Sequence, residues 1–296
     1  TPTGELRFAL LQGNDQNRDL SATERETYLP ASHFGLADEL EGDFDVIVFP
    51  ESGLGGRNPE APDEEELRDR LVDLAQVHEA EVIVNGLVPV PDTTRDYNTN
   101  FVYEPDGTLQ GTYAKQHLVP FGEYVPWRGA VGWIDALERV PTDYKPGAGR
   151  RLFEIGGRPV GTVICFESAF ASISRGYVQD GAEALIVTTN NRSYRRSANS
   201  AQHIAMSQMR AAETGRPVLH ASISGISGMV DADGDISDTT DLFERTVVTG
   251  TITTMTGETP FVRFGEWALW GSLIALVVAI AIGFWHRRAA APTSRS

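Results

Sequence analysis

Nineteen consecutive residues, Trp267 to Trp285 (WALWGSLIALVVAIAIGFW), carry no charge, and this run constrains the chain more than any other feature. As a helix rising about 1.5 Å per residue it spans roughly 28 Å, close to the hydrocarbon thickness of a bilayer. Trp267, Trp270 and Trp285 stand toward its ends, where indole rings favour the membrane–water boundary. A buried core helix is the competing reading, but a helix apolar on every face and beside the C-terminus suits lipid better. His286, Arg287, Arg288 and Arg295 follow the run, whereas only Arg263 and Glu266 closely precede it. That excess of positive charge places the C-terminus in the cytoplasm and everything before the span outside. Residues 1–262 contain no charged segment leading into an apolar core of the kind that exports a domain. The expectation is that membrane-inserting helices belong upstream of Thr1; a tail-anchored chain with a cytosolic body is the alternative. The chain divides accordingly into a body (1–262), a span with its flanks (263–288) and a short cytoplasmic tail (289–296).

The body reads as one domain of interleaved α and β structure, without internal repeats or low-complexity linkers. Leu6–Gln12 and Phe44–Pro50 are short, β-rich apolar runs that predict buried strands. Leu67, Leu71 and Leu74 recur at helical spacing behind an acidic turn, predicting a helix between Asp63 and Ala80. Strands are predicted at Glu81–Leu87, Tyr97–Tyr103 and Leu109–Tyr113, then a loop from Phe121 to Gly149 with a short helix near Ile134–Arg139. Leu152–Ile155, Gly156-Gly157 and Pro159–Cys165 predict a hairpin. A helix, a strand at Ala184–Thr189 and a helix at Ala198–Thr214 capped by Gly215 follow. Strands at Pro217–Ser222, Gly228–Asp231 and Val247–Thr253 close the body.

Composition excludes several classes of function. With 41 acidic and 25 basic side chains the formal net charge is −16, the wrong sign for nucleic acid. The single cysteine, Cys165, rules out an intrachain disulfide framework and a cysteine-based zinc finger. The six histidines lack metal-ligand spacing, and neither a P-loop nor a dinucleotide fingerprint is present, so no metal and no cofactor is expected.

Three polar residues stand where strands are predicted to end. Glu51 follows VIVFP, Lys115 follows LQGTYA and Cys165 follows VGTVI. Strand ends in α/β sheets are where side chains converge on ligands. A carboxylate, an ammonium and a thiol together supply a base, a charge stabiliser and a nucleophile, enough for acyl transfer. Taken singly, each also has a plainer role: a small buried hydrophobe, a turn cap and a solvated charge.

The segments around these residues decide the matter. FPESG (49–53), YAKQHLVPFGEYVP (113–126) and ICFES (164–168) resemble, in chain order, the three signature segments of the nitrilase superfamily. The long middle segment looks like that of the apolipoprotein N-acyltransferases of bacterial envelopes, as do YNTNFVYEPDG (97–107), MRAAETGRPVLHAS (209–222) and GTITTMTGETPFVRFG leading into the span. The resemblance implies a nitrilase-like αββα sandwich followed by one C-terminal transmembrane helix, outside the cytoplasmic membrane of a bacterium. It also implies a Glu51–Lys115–Cys165 triad, with Glu123 as a second essential carboxylate beside Lys115. The implied reaction moves a fatty acyl chain from a phospholipid, through a thioester on Cys165, to the α-amine of a diacylglyceryl-modified apolipoprotein. The family's membrane helices lie mostly before this domain, which matches the topology expected above.

Further residues follow from position. The backbone N–H of Phe166 is a candidate oxyanion donor. Glu167 shares a face with Cys165 if the chain stays extended there. Trp127 and Trp133 belong to an apolar, Gly/Pro-punctuated stretch, Pro120–Leu137, that reads either as a lid dipping into the membrane interface or as ordinary core packing. Where the family has a Trp-containing turn, this chain has Asn190-Asn191-Arg192-Ser193-Tyr194-Arg195-Arg196. Ser193 takes the tryptophan position and Tyr194 keeps an aromatic ring. Arg192, Arg195 and Arg196 are either ligands for a lipid phosphate or a solvated loop. Two other functions remain open: a C–N hydrolase of small amides, and a catalytically silent envelope protein of the same fold.

Overall fold

Burial along the first strand sets the architecture. The computed structural model describes residues 1–15, 20–128, 133 and 143–289. In β1 (Pro2–Gln12), Leu6, Phe8 and Leu10 enter one core while Ala9 and Leu11 enter another, so the strand is covered on both faces. The helix α1 (Ala22–Ala37) and the strand β2 (Val46–Val48) follow, then α2 (Glu65–His78), β3 (Glu81–Pro89), β4 (Asp96–Tyr103) and β5 (Leu109–Ala114). The second half runs β6 (Leu152–Ile155), β7 (Arg158–Ile164), α3 (Ala171–Gln179), β8 (Ala184–Thr189), α4 (Asn199–Thr214) and β9 (Val218–Ser222). It ends with β10 (Gly228–Val230), β11 (Ile236–Ser237), β12 (Thr246–Met255), a short α5 (Pro260–Phe264) and α6 (Trp267–Ala289).

Two six-stranded sheets result, in the orders β12-β1-β2-β3-β4-β5 and β11-β10-β9-β8-β7-β6. Each has a parallel trio at its heart, β1-β2-β3 and β7-β8-β9, with antiparallel strands outside it. Leu6, Phe8, Leu10 and Val48 of the first sheet share one buried cluster with Val160, Ile186 and Leu219 of the second. On the outer face of the first sheet, Ala9, Leu11, Ile47 and Val82 pack with Phe34 of α1 and with Leu67, Leu71 and Leu74 of α2. Ile173 and Tyr177 of α3 and Ala211 of α4 join the second sheet. The layering is helix, sheet, sheet, helix, the sandwich that the resemblance implied.

Most predicted elements are present, with instructive differences. No helix was expected between Gln12 and Phe44, yet α1 fills that stretch. It starts on a capping box, in which the Glu24 N–H donates to Ser21 Oγ at 3.3 Å and the Ser21 N–H donates to Glu24 Oε2 at 2.8 Å. Its internal Pro30 masks the pattern, because proline removes an intrahelical hydrogen bond and argues against a helix. The strand expected to reach Cys165 stops at Ile164, and Cys165–Ala169 winds into a 3-10 turn. Gly156 and Gly157 have φ of 55° and 70°, which matches a hairpin turn needing positive φ twice. The helix expected near 134–139 and the tail after 289 lie outside the described residues.

α6 contains the uncharged run. Its window from Trp267 to His286 has a mean hydropathy of 2.2 and none of it is buried against the domain. It is long and apolar enough to cross a membrane.

His33 of α1 couples the body's stability to pH. Its Nε2 accepts from the Gly13 N–H at 3.1 Å and its Nδ1 donates to the Leu29 carbonyl at 2.7 Å, so the neutral ring satisfies both neighbours. Burial pushes its pKa down to about 4. A histidine depressed in the folded state contributes stability above its unfolded pKa of about 6.5, and that contribution is lost as pH falls toward 4. Between those limits the contribution declines by about 1.4 kcal/mol per pH unit. Denaturant unfolding of the full chain in detergent at pH 7 and pH 5 should show a steeper loss for wild type than for His33→Gln; equal losses would exclude this role.

Candidate active site

The sandwich brings three strand ends to one cavity. Glu51 lies just beyond β2, Lys115 directly follows β5, and Cys165 directly follows β7. All three line a cavity of about 940 Å³, together with Asn98, Glu123, Tyr144, Asn190 and Tyr194.

Lys115 is the centre of this arrangement. Its side chain is only 1% exposed, and Nζ lies 2.8 Å from Glu123 Oε1 and 3.6 Å from Glu51 Oε1. An ammonium so buried persists only with compensating negative charge. Burial alone lowers its pKa, but Glu51, the Cys165 sulfur whenever it is ionised, and Glu123 more than reverse that, so the group stays charged. The backbone fixes it too: the Lys115 N–H donates to the Asn98 carbonyl, and its own carbonyl accepts from the Gly147 N–H, each at 2.8 Å.

Each carboxylate has distinct support. Glu123 Oε2 accepts from the Val119 N–H at 2.8 Å, across the tight Val119–Tyr124 turn, while its Oε1 faces Lys115. Glu51 Oε2 accepts from the Asn190 N–H at 2.8 Å. Asn98 spans the pair, its Nδ2 donating to Glu51 Oε1 at 2.7 Å and to Glu123 Oε1 at 3.0 Å. Asn98 is aligned in turn by the Asn85 side chain at 2.8 Å, and Asn85 also bonds Asn100. These asparagines went unassigned in the sequence, although polar residues at buried strand positions are a usable signal.

Cys165 has a φ of 52°, a left-handed conformation that is strained for a residue with a Cβ. Burial, then the charge of Glu51, pushes its pKa up to about 12; Lys115 and a hydrogen bond with Thr189 pull the other way. The resting group is therefore a thiol, and it needs a base at the moment of attack.

The other predicted residues divide. Glu167 does not share a face with Cys165, because the 3-10 turn rotates it away. Its buried carboxylate accepts from the Tyr113 hydroxyl at 2.8 and 2.9 Å and from the N–H groups of Ile164 (2.8 Å), Gln116 (2.7 Å) and His117 (3.1 Å). It ties the nucleophile turn to the residues just after Lys115. The Phe166 ring turns from the catalytic cavity into a neighbouring one, edge-on to Phe170 with centroids 5.1 Å apart. Tyr194 and Arg192 line the catalytic cavity, and Arg195 and Arg196 do not. Arg196 instead lies over the Phe243 ring at 5.2 Å. Trp127 and Trp133 are 82% and 81% exposed, so core packing fails for both, whereas Val125 is buried. Val131 and Ile134, also counted in the apolar stretch, lie outside the described residues. Among the described residues, no cluster of three or more His, Cys, Asp or Glu side chains is placed to hold a metal ion.

Known proteins resemble this chain over most of its length. The family described as carbon-nitrogen hydrolase matches residues 18–261. The apolipoprotein N-acyltransferase of Geobacter metallireducens is 32% identical, over 94% of this chain and 54% of that protein. The Methylococcus capsulatus protein of the same name is 30% identical, over 99% of this chain and 57% of that protein. The chain thus spans about half the length of the curated relatives it matches. Among solved structures, a cysteine-to-alanine mutant of the Nesterenkonia AN1 amidase, from the nitrilase superfamily, superposes with a TM-score of 0.64. It is 17% identical and covers 92% of this chain and 98% of its own, a likeness of fold.

The buried ammonium yields a direct expectation. Lys115→Met leaves two carboxylates around Cys165 without their cation and raises the thiol pKa further. Alkylation of Cys165 by iodoacetamide at pH 8, followed by intact mass, should slow about tenfold or more, one pKa unit being a tenfold change in thiolate. An unchanged rate would mean that the charge of Lys115 does not reach the sulfur.

Proposed function

The chain belongs to the carbon-nitrogen hydrolase family, and we propose that within it this domain is an N-acyltransferase working at a membrane surface. Its donor is a phospholipid and its acceptor the α-amine of a diacylglyceryl-modified apolipoprotein. The observation that carries this reading is the union, on one chain, of a buried Glu51–Lys115–Cys165 cavity with the uncharged helix of α6. A hydrolase of small soluble amides has no need of that helix, whereas an enzyme whose donor resides in the bilayer does. The names of the curated relatives support the same choice.

The residue chemistry then runs in two halves. Glu51 removes the thiol proton as Sγ adds to the ester carbonyl, and Lys115 Nζ faces the oxygen that gains charge. Glu123 keeps the ammonium in place without being consumed. Collapse of the tetrahedral adduct breaks the ester C–O bond, and the departing lysophospholipid alkoxide takes the proton from Glu51. The acyl group remains as a thioester. In the second half Glu51 accepts a proton from the attacking amine, the C–N bond forms, the C–S bond breaks, and the sulfur recovers its proton. Water must stay away during the interval, since hydrolysis of the thioester turns a transferase into a lipase. Trp127 and Trp133, exposed beside the cavity segment, suit a lid that closes over the acyl chain in the interface.

Two measurements test this. Full chain in vesicles of phosphatidylethanolamine should gain the mass of one acyl group, and Cys165→Ala should gain none. Ammonia release from small amides, with no adduct in any vesicle, would favour the hydrolase reading. The proposed extracytoplasmic site predicts that Asp233→Cys, on an exposed turn, in a Cys165→Ala background reacts with a membrane-impermeant maleimide in intact spheroplasts. Reaction only after lysis would put the body in the cytosol.

A further inference from the structure

One buried histidine stands directly behind the nucleophile and has no part in the reaction above. His203 of α4 is 3% exposed and is absent from the cavity lining. Its Nε2 lies 3.0 Å from the Cys165 carbonyl oxygen and 3.1 Å from Ser168 Oγ. Its Nδ1 lies 2.7 Å from Asn191 Oδ1 and 3.3 Å from Thr189 Oγ1. The Cys165 carbonyl only accepts, so Nε2 carries the proton; the buried Asn191 Nδ2 has no partner, and the same amide turned end for end presents that N–H to Nδ1, which accepts it. Thr189 bonds the Cys165 thiol, and Asn191 follows Asn190, whose N–H holds Glu51. The ring therefore touches the nucleophile's backbone on one side and the strand end that steadies both thiol and base on the other. Burial holds its pKa low, which keeps the ring neutral in this role.

The peptide joining Cys165 to Phe166 is planar and trans, so its C=O and N–H point in opposite directions. The carbonyl points to His203, outside the cavity. The Phe166 N–H consequently points back to the cavity side, at the second residue of a 3-10 turn, where an amide has no helical partner. Cys165, at a φ of 52°, needs such an external restraint, because a non-glycine residue does not keep that conformation unaided.

We infer that His203 is a positioning residue: by holding the Cys165 carbonyl from behind, it aims the Phe166 N–H at the acyl oxygen that becomes charged when the sulfur adds. This rests on the acyl-transfer reading only in taking Cys165 as the nucleophile, and its test needs no phospholipid. Acyl addition develops an oxyanion, whereas alkylation by iodoacetamide does not, so the two reactions of the single cysteine separate aim from general damage.

The full chain in detergent is treated with p-nitrophenyl butyrate or with iodoacetamide, and intact mass follows Cys165. For His203→Leu, acylation should fall about 100-fold while alkylation stays within about threefold of wild type. His203→Gln places an amide N–H where Nε2 stood and should restore acylation to within about fivefold; His203→Asn, reaching only as far as Nδ1, should not. Should His203→Leu lose its thermal unfolding transition, the Gln and Asn pair decides alone. Acylation equal to wild type in every variant, a parallel loss of both reactions, or rescue by Asn in place of Gln overturns the role of His203 and leaves acyl transfer standing. A wild type that alkylates but takes no acyl group overturns both.

Discussion

A lysine ammonium sealed from water between two carboxylates is the interaction on which the site depends. Burial of a lone charge costs several kcal/mol even after relaxation, so Lys115 cannot occupy its place unless Glu51 and Glu123 are held within reach of it. That need explains the asparagine ladder. Asn98 donates to both carboxylates, and Asn85 fixes which way its amide faces. These side chains sit at buried positions of β3 and β4, where valine or isoleucine would pack more simply. The sheet carries buried polar groups there because each one has a partner, and the partners end at Lys115.

The two carboxylates are chemically alike but placed for different work. Glu123 accepts from a backbone amide in the same tight turn and touches Nζ at 2.8 Å, so its charge is fully engaged by the cation. Glu51 stands 0.8 Å farther from Nζ, at 3.6 Å against 2.8 Å. Of the pair it is the less committed to the ammonium and the better placed to take a proton. Cys165 needs that, because its thiol is held in the protonated form by burial and by the nearby negative charge. In the proposed reaction, proton removal and attack on the acyl carbon belong to one event.

How far this was legible in the sequence depended on how local each signal was. Strands with uniform apolar runs and the α2 stripe of Leu67, Leu71 and Leu74 declare themselves within a few residues, and their order gives one domain of interleaved α and β; the sandwich itself came from the resemblance. Glu51, Lys115 and Cys165 stood at predicted strand ends, but it was the resemblance of the segments around them to the nitrilase motifs that singled them out. α1 was not: the capping box at Ser21 and Glu24 was present, but Pro30 contradicts a helix locally, and packing of Phe34 and Leu36 against the first sheet overrides it. Glu167 was misplaced for a related reason. Spacing of two implies a shared face only in extended chain, and the positive φ of Cys165 that breaks the strand has no mark in the side-chain pattern. Arg196 engages Phe243, nearly fifty residues away, which no local reading reaches.

The same geometry bears on how a polar, dry centre meets a lipid. The catalytic cavity gathers charged and amide side chains about the thiol, while Leu87, Val119, Tyr144 and Tyr194 supply apolar and aromatic wall. Apolar surface is also exposed on Trp127, Trp133 and Phe121, all in or beside the segment that also supplies Glu123, and along α6. In the proposed reaction, selectivity for a lipid donor draws on those walls and on where the domain is held. In that reaction the charged centre contributes the chemistry. Because Glu123 and the exposed aromatics belong to one stretch of backbone, movement of that stretch also bears on the carboxylate that fixes Lys115. In the proposed reaction, an acyl chain seated against that stretch would therefore lie on the same backbone segment as the carboxylate that fixes the ammonium.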